Sequence, residues 1–164
     1  MSFSPVPDYK FNKLTDISTG FLTKNRISLL LLDLDNTIAP YGQTEPSAEL
    51  IAWVIRMRSF GITLRIVSNS KKTERVSAFA NALYAPYIHR AKKPSPRKIR
   101  ELLEQLEIKP ANVALVGDQI YTDVLAANGA GVVSIVVKPI KFTNVFLAIR
   151  YFFELPFRAL RRTK

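Results

Sequence analysis

The feature that most constrains the fold of this chain is an apolar run that ends in two aspartates. Residues 29–32 are four leucines, and Asp33 and Asp35 follow them with Leu34 in between. A run of this kind is typical of a strand buried on both faces of a parallel sheet. Because a buried ionised carboxylate must be paired or bound to a metal, these two carboxylates require a partner. The pattern therefore favours a catalytic site at the end of this strand.

The apolar pattern continues as an alternation of short strand-like runs and helical periods. Strands are predicted at residues 29–33, 62–67, 86–89, 113–116 and 132–137. Helices are predicted at residues 46–60, 71–83, 96–109 and 122–128, with Ser95 as the N-cap of the third. This alternation predicts an α/β fold with a Rossmann-like parallel sheet and helices on both of its faces.

The chain divides into three predicted segments. Residues 1–27 show no convincing period and are expected to form an N-terminal arm with one short helix near residues 10–14. Residues 28–141 form the predicted catalytic core, which is long enough to bury its own apolar interior. Residues 142–164 are basic and rich in aromatic residues, and we expect them to form a helical tail. The core and its extensions are predicted to form a single domain.

Composition limits the chemistry and the location of the chain. The absence of cysteine excludes disulfides, thiolate metal sites and a cysteine nucleophile, and it favours a cytoplasmic location. The first residues predict no secretory signal, and no uncharged apolar run reaches the roughly 18 residues of a transmembrane span. The net charge of +11 favours polyanionic partners: nucleic acid, an anionic membrane or a phosphorylated substrate.

Polar side chains follow the predicted strands at the ends where a ligand would bind. In an open α/β sheet the ligand site lies beyond the carboxyl ends of the strands, so these side chains are expected to converge. They are Asp33, Asp35, Ser68, Asn69, Lys93, Asp118 and Asp123. The sequence thus predicts one site that combines several carboxylates with a hydroxyl and an ammonium group.

This set of side chains predicts phosphoryl chemistry. Clustered carboxylates raise each other's pKa unless a cation neutralises them, and oxygen ligands without histidine or cysteine favour Mg²⁺ over zinc. A hard cation, a lysine and the amides of a helix N-terminus together form a receptor for a phosphoryl group. One aspartate can then attack phosphorus, and a second, two residues further on, can protonate the leaving oxygen.

Four short motifs occur along the chain in order. They are D-L-D-N-T at residues 33–37, V-S-N-S at 67–70, A-K-K-P at 91–94 and G-D-Q-I-Y-T-D at 117–123. Together they resemble the motifs of the haloacid dehalogenase (HAD) superfamily, over roughly residues 28–137. More narrowly, they are similar to subclass IIIA, the branch that includes the YqeG family and the mitochondrial phosphatidylglycerophosphate phosphatases. The resemblance implies the HAD-like fold and a Mg²⁺-dependent phosphatase that acts through an aspartyl-phosphate.

The same resemblance implies a role for each site residue. Asp33 would be the nucleophile and Asp35 the general acid and base, while Lys93 would neutralise the nucleophile and the phosphoryl group. The implied phosphate site consists of Ser68, Asn69 and Lys93. The implied metal site consists of Asp33, Asp35 through its main-chain carbonyl, Asp118 and, directly or through water, Asp123.

The spacing of the motifs predicts an open site. Superfamily members that enclose small substrates carry a cap domain after the first motif or between the second and third. Here 33 positions separate Asp35 from Ser68 and 25 separate Ser68 from Lys93, which one helix and one strand fill in each case. We therefore expect a capless enzyme that acts on a phosphate displayed on a large carrier, such as a lipid surface or a macromolecule.

The tail of the chain has two possible interpretations. Over half of the net charge, +6 of +11, lies in the last 27 residues, where phenylalanines alternate with arginines. An aromatic-rich basic helix is typical of a peripheral membrane anchor. The alternative is a helix that packs on the sheet and is broken at Pro156.

The hypothesis that combines these features is a phosphomonoesterase that converts phosphatidylglycerophosphate to phosphatidylglycerol in phospholipid biosynthesis. It would act as a cytoplasmic protein bound to the inner face of the membrane. An alternative within enzymes is a phosphatase of phosphoproteins or nucleic-acid ends. An alternative from another class is a non-catalytic basic module that binds RNA or ribosomes.

Overall fold

One six-stranded sheet forms the centre of the computed structural model, which describes residues 4–141 and 145–160. The strands are β1 (Tyr9–Lys10), β2 (Leu29–Leu32), β3 (Thr63–Val67), β4 (Tyr87–Ile88), β5 (Val113–Gly117) and β6 (Val133–Val136). Their order across the sheet is β1-β6-β5-β2-β3-β4, and every neighbouring pair is parallel. The predicted parallel α/β architecture is confirmed.

Within residues 4–141 and 145–160, six α-helices and three shorter turns of helix accompany the strands, and the last helix follows β6. The α-helices are α1 (Thr19–Lys24), α2 (Ala48–Ser59), α3 (Thr73–Ala82), α4 (Arg97–Gln105), α5 (Leu125–Ala130) and α6 (Val145–Ala159). The 3₁₀ turns are Leu14–Asp16 and Pro110–Asn112, and a π-helical turn, Ile120–Val124, precedes α5. Among the residues that the structure describes, no helix combines the length and the apolar character needed to span a membrane.

The leucines of β2 are buried on both faces of the sheet. Leu30 and Leu32 belong to one core with Trp53 of α2 and Phe79 of α3. Leu29 and Leu31 belong to a second core, formed with residues of α4 and α5. Successive side chains of a strand point to opposite faces, so four consecutive leucines fill both cores. The strand that precedes Asp33 is therefore held rigidly at the centre of the molecule.

The prediction for the first residues was wrong in its secondary structure. Residues 10–14 do not form a helix; Tyr9–Lys10 is the edge strand β1, and helical turns follow at Leu14–Asp16 and Thr19–Lys24. Asp8 stabilises the pairing of β1 with β6, because its Oδ2 accepts a hydrogen bond from Ser134 N at 2.9 Å. A two-residue strand is too short to show a period, so tertiary contacts determine it.

Helices α2, α3 and α4 begin later than predicted, and α3 begins at Thr73 rather than at residue 71. Helix α2 begins at Ala48, where Ser47 Oγ accepts a hydrogen bond from Leu50 N at 3.2 Å, rather than at residue 46. Helix α4 begins at Arg97, and its N-cap residue is Pro96 instead of Ser95. The reason is that the N–H of Ser95 donates to the carbonyl of Lys92 at 2.9 Å, which places Ser95 in the preceding turn.

Helix α6 shows the reverse of the burial pattern of an ordinary surface helix. Its buried side chains are the charged Glu154 and Arg158, while large apolar side chains on the other face are exposed. The exposed apolar residues of the helix are Val145, Phe146, Ile149, Phe152, Phe153 and Leu155. The predicted break at Pro156 was wrong, because this proline lies inside the helix. Residues 142–144 and 161–164 of the predicted tail lie outside the described residues.

Candidate active site

The carboxyl ends of three central strands bring the predicted site residues together. Leu32 of β2 lies level with Ile66 of β3 and with Val116 of β5. The residues that follow these strands therefore leave the sheet at one edge. They surround a cavity of about 240 Å³, lined by Asp33, Asp35, Tyr41, Asn69, Ser70, Lys93, Gln119, Thr122 and Arg150.

Lys93 lies at the base of this site and joins two carboxylates. Its Nζ is 2.6 Å from an oxygen of Asp33 and 2.6 Å from an oxygen of Asp123, and it donates to the carbonyl of Val67 at 2.8 Å. Burial alone would lower the pKa of Lys93, but Asp123 and Asp33 outweigh it and hold the pKa above its usual value. The ammonium group therefore stays charged and neutralises part of the cluster.

Asn69 and Ser68 are placed differently from each other. The side chain of Asn69 is bound to the backbone of Lys93, donating to its carbonyl at 2.9 Å and accepting from its N–H at 2.8 Å. This amide group positions the lysine. Ser68 is buried, and its Oγ accepts from Ser70 N at 3.0 Å, but Ser68 is not among the residues that line the cavity.

Thr37 belongs to the first motif but received no role from the sequence. Its hydroxyl lies 3.0 Å from Asp33 Oδ2 and 3.4 Å from Asp118 Oδ1. Because Lys93 holds the other oxygen of Asp33, both oxygens of this carboxylate are oriented. Asp33 is thus the most constrained carboxylate at the cavity.

The carboxylate of Asp35 points away from the other acids. Arg75, on helix α3, lies 2.7 Å from Asp35 Oδ1, and it also donates to the carbonyl of Gln43 at 2.9 Å. Sequence reasoning did not find Arg75, because nothing distinguishes it from other basic residues of an amphipathic helix. The structure therefore separates Asp35 from the carboxylates that could hold a metal through their side chains.

Three buried carboxylates could hold a metal ion. Oxygens of Asp33, Asp118 and Asp123 all lie within 4.8 Å of one another. Burial, followed by the charges of Asp33 and Asp123, raises the pKa of Asp118 to about 8. Burial also raises the pKa of Asp33 to about 6, against the opposing effect of Lys93. Asp118 Oδ2 has no hydrogen-bond partner among the residues that the structure describes. An all-carboxylate set with an unpartnered buried oxygen suits a hard divalent cation such as Mg²⁺.

Gly117 makes room for Asp123. A Cβ at position 117 would lie 2.2 Å from Cγ of Asp123, much closer than two non-bonded carbon atoms can approach. The glycine of the fourth motif is therefore required because the aspartate side chain packs directly on its backbone. Any larger residue at this position would displace a carboxylate of the candidate metal site.

Helix α6 is tied to the same loop by two residues that the sequence did not single out. Arg158 donates hydrogen bonds to the main-chain carbonyl of Asp118 and, at 3.1 Å, to that of Val137. Glu154 binds the same guanidinium at 2.9 Å. Their spacing of four residues was the one sequence signal for this pair, but oppositely charged residues at this spacing are common on helix surfaces and do not indicate a buried contact. These bonds also hold the last turn of α6 in place beyond Pro156.

Comparison with known proteins agrees with this geometry. A family model described as HAD-hydrolase-like matches residues 90–143. The probable phosphatase YqeG of Bacillus subtilis (strain 168) is 30% identical to the chain over 142 residues, which is 87% of this chain and 82% of that protein. The chain belongs to the HAD-like hydrolases. It is a HAD-family phosphatase, the enzyme class that the four motifs indicated.

Further relatives of this HAD-like hydrolase share parts of its length or its fold. A phosphoglycolate phosphatase of Neisseria meningitidis serogroup A is 31% identical over 100 residues, and the chain spans only 42% of that protein. A solved structure of an uncharacterized protein from Listeria monocytogenes serotype 4b superposes with a TM-score of 0.57 at 14% identity, covering 82% of this chain and all of that one. That likeness shows the fold alone.

Magnesium is expected to stabilise the HAD-like hydrolase in a pH-dependent way. Protons compete with the ion for Asp118 and Asp33, whose pKa values are raised to about 8 and 6. In the absence of the ion, such groups bind more protons folded than unfolded, so stability falls as pH rises from about 4 to 8. Saturating Mg²⁺ should therefore raise Tm by about 5–10 °C at pH 8 and by less at pH 5.5.

Thermal melts at both pH values, with and without Mg²⁺, measure this effect. Asp118→Asn serves as the matched variant, since it removes one carboxylate and should lose most of the Mg²⁺-induced rise. A rise of equal size at both pH values would contradict the assignment of these carboxylates as the ligands.

Proposed function

We propose that this HAD-like hydrolase is a Mg²⁺-dependent phosphomonoesterase that acts through an aspartyl-phosphate on Asp33. The observation that carries the proposal is the environment of Asp33. Lys93 and Thr37 orient its two oxygens, Asp118 and Asp123 lie beside it, and Asp33 itself lines an open cavity. A carboxylate held in this way can attack a phosphorus atom placed above it.

The reaction proceeds in two displacements. A carboxylate oxygen of Asp33 forms a bond to phosphorus as the bond to the leaving oxygen breaks, and Asp35 gives its proton to that oxygen. Water then forms the new bond to phosphorus, Asp33 departs, and the proton of the water returns to Asp35. Arg75 lies 2.7 Å from Asp35 Oδ1 and holds this carboxylate at the rim of the cavity. Mg²⁺ held by Asp33, Asp118 and Asp123 would neutralise the charge of the phosphoryl oxygens.

The substrate that we propose is phosphatidylglycerophosphate on an anionic membrane. The outer face of α6 supports this, because Phe146, Phe152 and Phe153 are each more than 60% exposed. Apolar side chains on a basic chain of net charge +11 suit the interface of an anionic bilayer. The cavity is lined by Arg150 of the same helix, so a membrane bound to α6 would lie close to the site. The protein would then be peripheral, on the cytoplasmic face.

Activity on three kinds of phosphomonoester tests this proposal. Phosphatidylglycerophosphate in anionic vesicles, a phosphopeptide and a 5′-phosphorylated oligonucleotide are assayed side by side for Mg²⁺-dependent phosphate release. We expect the lipid to be the best substrate by at least tenfold in kcat/KM. A higher kcat/KM for the peptide or the oligonucleotide would contradict the lipid assignment and make that class the proposed substrate. Release from none of the three, nor from p-nitrophenyl phosphate, would leave a non-catalytic binding role.

Substitutions on the outer face of α6 test the membrane contact separately. The double variant Phe152→Ser/Phe153→Ser is expected to lower hydrolysis of the vesicle lipid at least tenfold relative to hydrolysis of p-nitrophenyl phosphate. The reason is that each substitution removes about 2–3 kcal/mol of favourable burial of a phenylalanine side chain in the membrane. Phe60→Ser is the matched control, since Phe60 is 63% exposed but lies at the end of α2, just before the amino end of β3, whereas the cavity lies at the carboxyl ends of the strands. An equal effect of Phe60→Ser would show that α6 is not the contact surface.

A further inference from the structure

One residue that lines the active-site cavity comes from helix α6. Arg150 is a third exposed, with 34% of its side chain accessible, whereas only 1% of the Lys93 side chain is accessible. The two cations therefore occupy different depths, Lys93 at the base beside Asp33 and Arg150 at the mouth. A ligand whose phosphoryl group lies on Asp33 would present its remaining atoms to Arg150.

The charge of Arg150 is less compensated than that of the other cation in this cavity. Lys93 forms two ion pairs of 2.6 Å, with Asp33 and Asp123. Among the residues that the structure describes, the carboxylate that pairs with Arg150 is Glu154, at 3.9 Å, and Glu154 already binds Arg158 at 2.9 Å. The charge of Arg150 also acts on Asp118, but the described residues show no ion pair or hydrogen bond between the two. The guanidinium of Arg150 is therefore open to a further anion.

Glu154 lies on the Nε side of the Arg150 guanidinium and forms no hydrogen bond to it. The nearest oxygen, Glu154 Oε1, lies 3.9 Å from Arg150 Nε, beyond hydrogen-bond distance. The two terminal nitrogens of Arg150 lie farther from Glu154 and can bind a ligand. A guanidinium used in this way makes two parallel hydrogen bonds to a carboxylate or a phosphate.

We propose that Arg150 forms a second anion-binding subsite, which takes an anionic group on the leaving-group side of the substrate. This inference rests on the proposed phosphatase function and names the substrate class: phosphomonoesters whose alcohol carries a further phosphate or carboxylate. In an enzyme with no inserted cap, the C-terminal helix supplies the recognition of the leaving group. Arg150 is a specificity residue in this scheme, because it contacts the substrate but not the phosphoryl group that is transferred.

A pair of soluble substrates tests the subsite with the full chain and Mg²⁺. Glycerol 3-phosphate and glycerol 1,3-bisphosphate share one alcohol and differ by the second anion. Wild-type protein is expected to prefer the bisphosphate in kcat/KM. Arg150→Gln should lower that preference by about 10- to 100-fold, chiefly through a higher KM for the bisphosphate. Loss of a hydrogen bond between charged groups typically weakens binding by a factor of this size. Arg150→Lys should keep part of the preference, because lysine retains the positive charge but cannot form the two parallel hydrogen bonds of a guanidinium.

The control for lost charge is Arg56→Gln, since Arg56 is exposed on α2, outside the cavity. It should leave the preference unchanged. An equal loss for both substrates in Arg150→Gln, or no loss for either, would overturn the subsite. If the wild type hydrolyses neither of these substrates, nor phosphatidylglycerophosphate, nor p-nitrophenyl phosphate, the proposed function fails instead. Calorimetric titration of the two compounds into wild type and Arg150→Gln then decides the subsite, and equal affinities would overturn it.

Discussion

Replacing Asp33 by asparagine is expected to lower Mg²⁺-dependent phosphate release by at least about a thousandfold, because an amide cannot form the covalent intermediate. The fold should survive the change. Asparagine has the same size, and its carbonyl oxygen can still accept from Lys93, which lies 2.6 Å from the aspartate. Burial raises the pKa of Asp33 to about 6, so the ionised form is costly in the folded protein and its removal is not destabilising.

The assay pairs steady-state turnover with trapping of the intermediate. Acid quenching of a reaction with a ³²P-labelled substrate should leave label on the wild-type chain and none on Asp33→Asn. Glu104→Gln is the matched control, since Glu104 is an exposed acid of α4 outside the cavity. Turnover within tenfold of wild type in Asp33→Asn would remove this residue from the role of nucleophile.

Lys93→Met is expected to be the most destabilising single substitution at the site. It leaves the buried carboxylates of Asp33 and Asp123 without their shared partner, and such a break typically costs about 3–5 kcal/mol. The loss should depend on pH. Lys93 opposes the rise in the pKa of Asp33, so its removal raises that pKa further. A carboxylate with a raised pKa is protonated at low pH, so the destabilisation is smaller at pH 5 than at pH 8.

Urea unfolding at the two pH values measures the change in free energy of unfolding. The neighbouring Lys92 provides a matched control, because it is exposed and Lys92→Met should change stability by no more than about 0.5 kcal/mol. Equal midpoints for the two variants would show that the contacts of Lys93 with Asp33 and Asp123 contribute nothing to stability.

The centre of the fold and the acids of the site were predictable from the sequence for one physical reason. The run of leucines in β2 can be buried only as a strand covered on both faces, and parallel strands end at a common edge. Asp33, Lys93 and Asp118 are each within a few residues of a strand end, so topology alone brings them together. Their convergence needed no knowledge of side-chain packing.

The arginines of the site were not predictable in the same way. Arg75 lies in the first turn of α3, and Arg150 and Arg158 lie within α6, where their contacts depend on how each helix packs on the sheet. A basic residue on a helix has the same local pattern whether it faces solvent or a carboxylate. The inverted burial of α6 shows this most clearly, because its apolar period favours the opposite face as the buried one.

The hydrogen bond from Arg158 to the carbonyl of Asp118 has a consequence for how the chain can be cut or recombined. Helix α6 cannot be exchanged as a separate module, because shortening the chain before it would leave the loop of a candidate metal ligand without its buried donor. A shortened variant would confuse loss of membrane contact with loss of the active site. Chimeras that exchange the surface of α6 should therefore retain Glu154 and Arg158 and alter only the exposed positions.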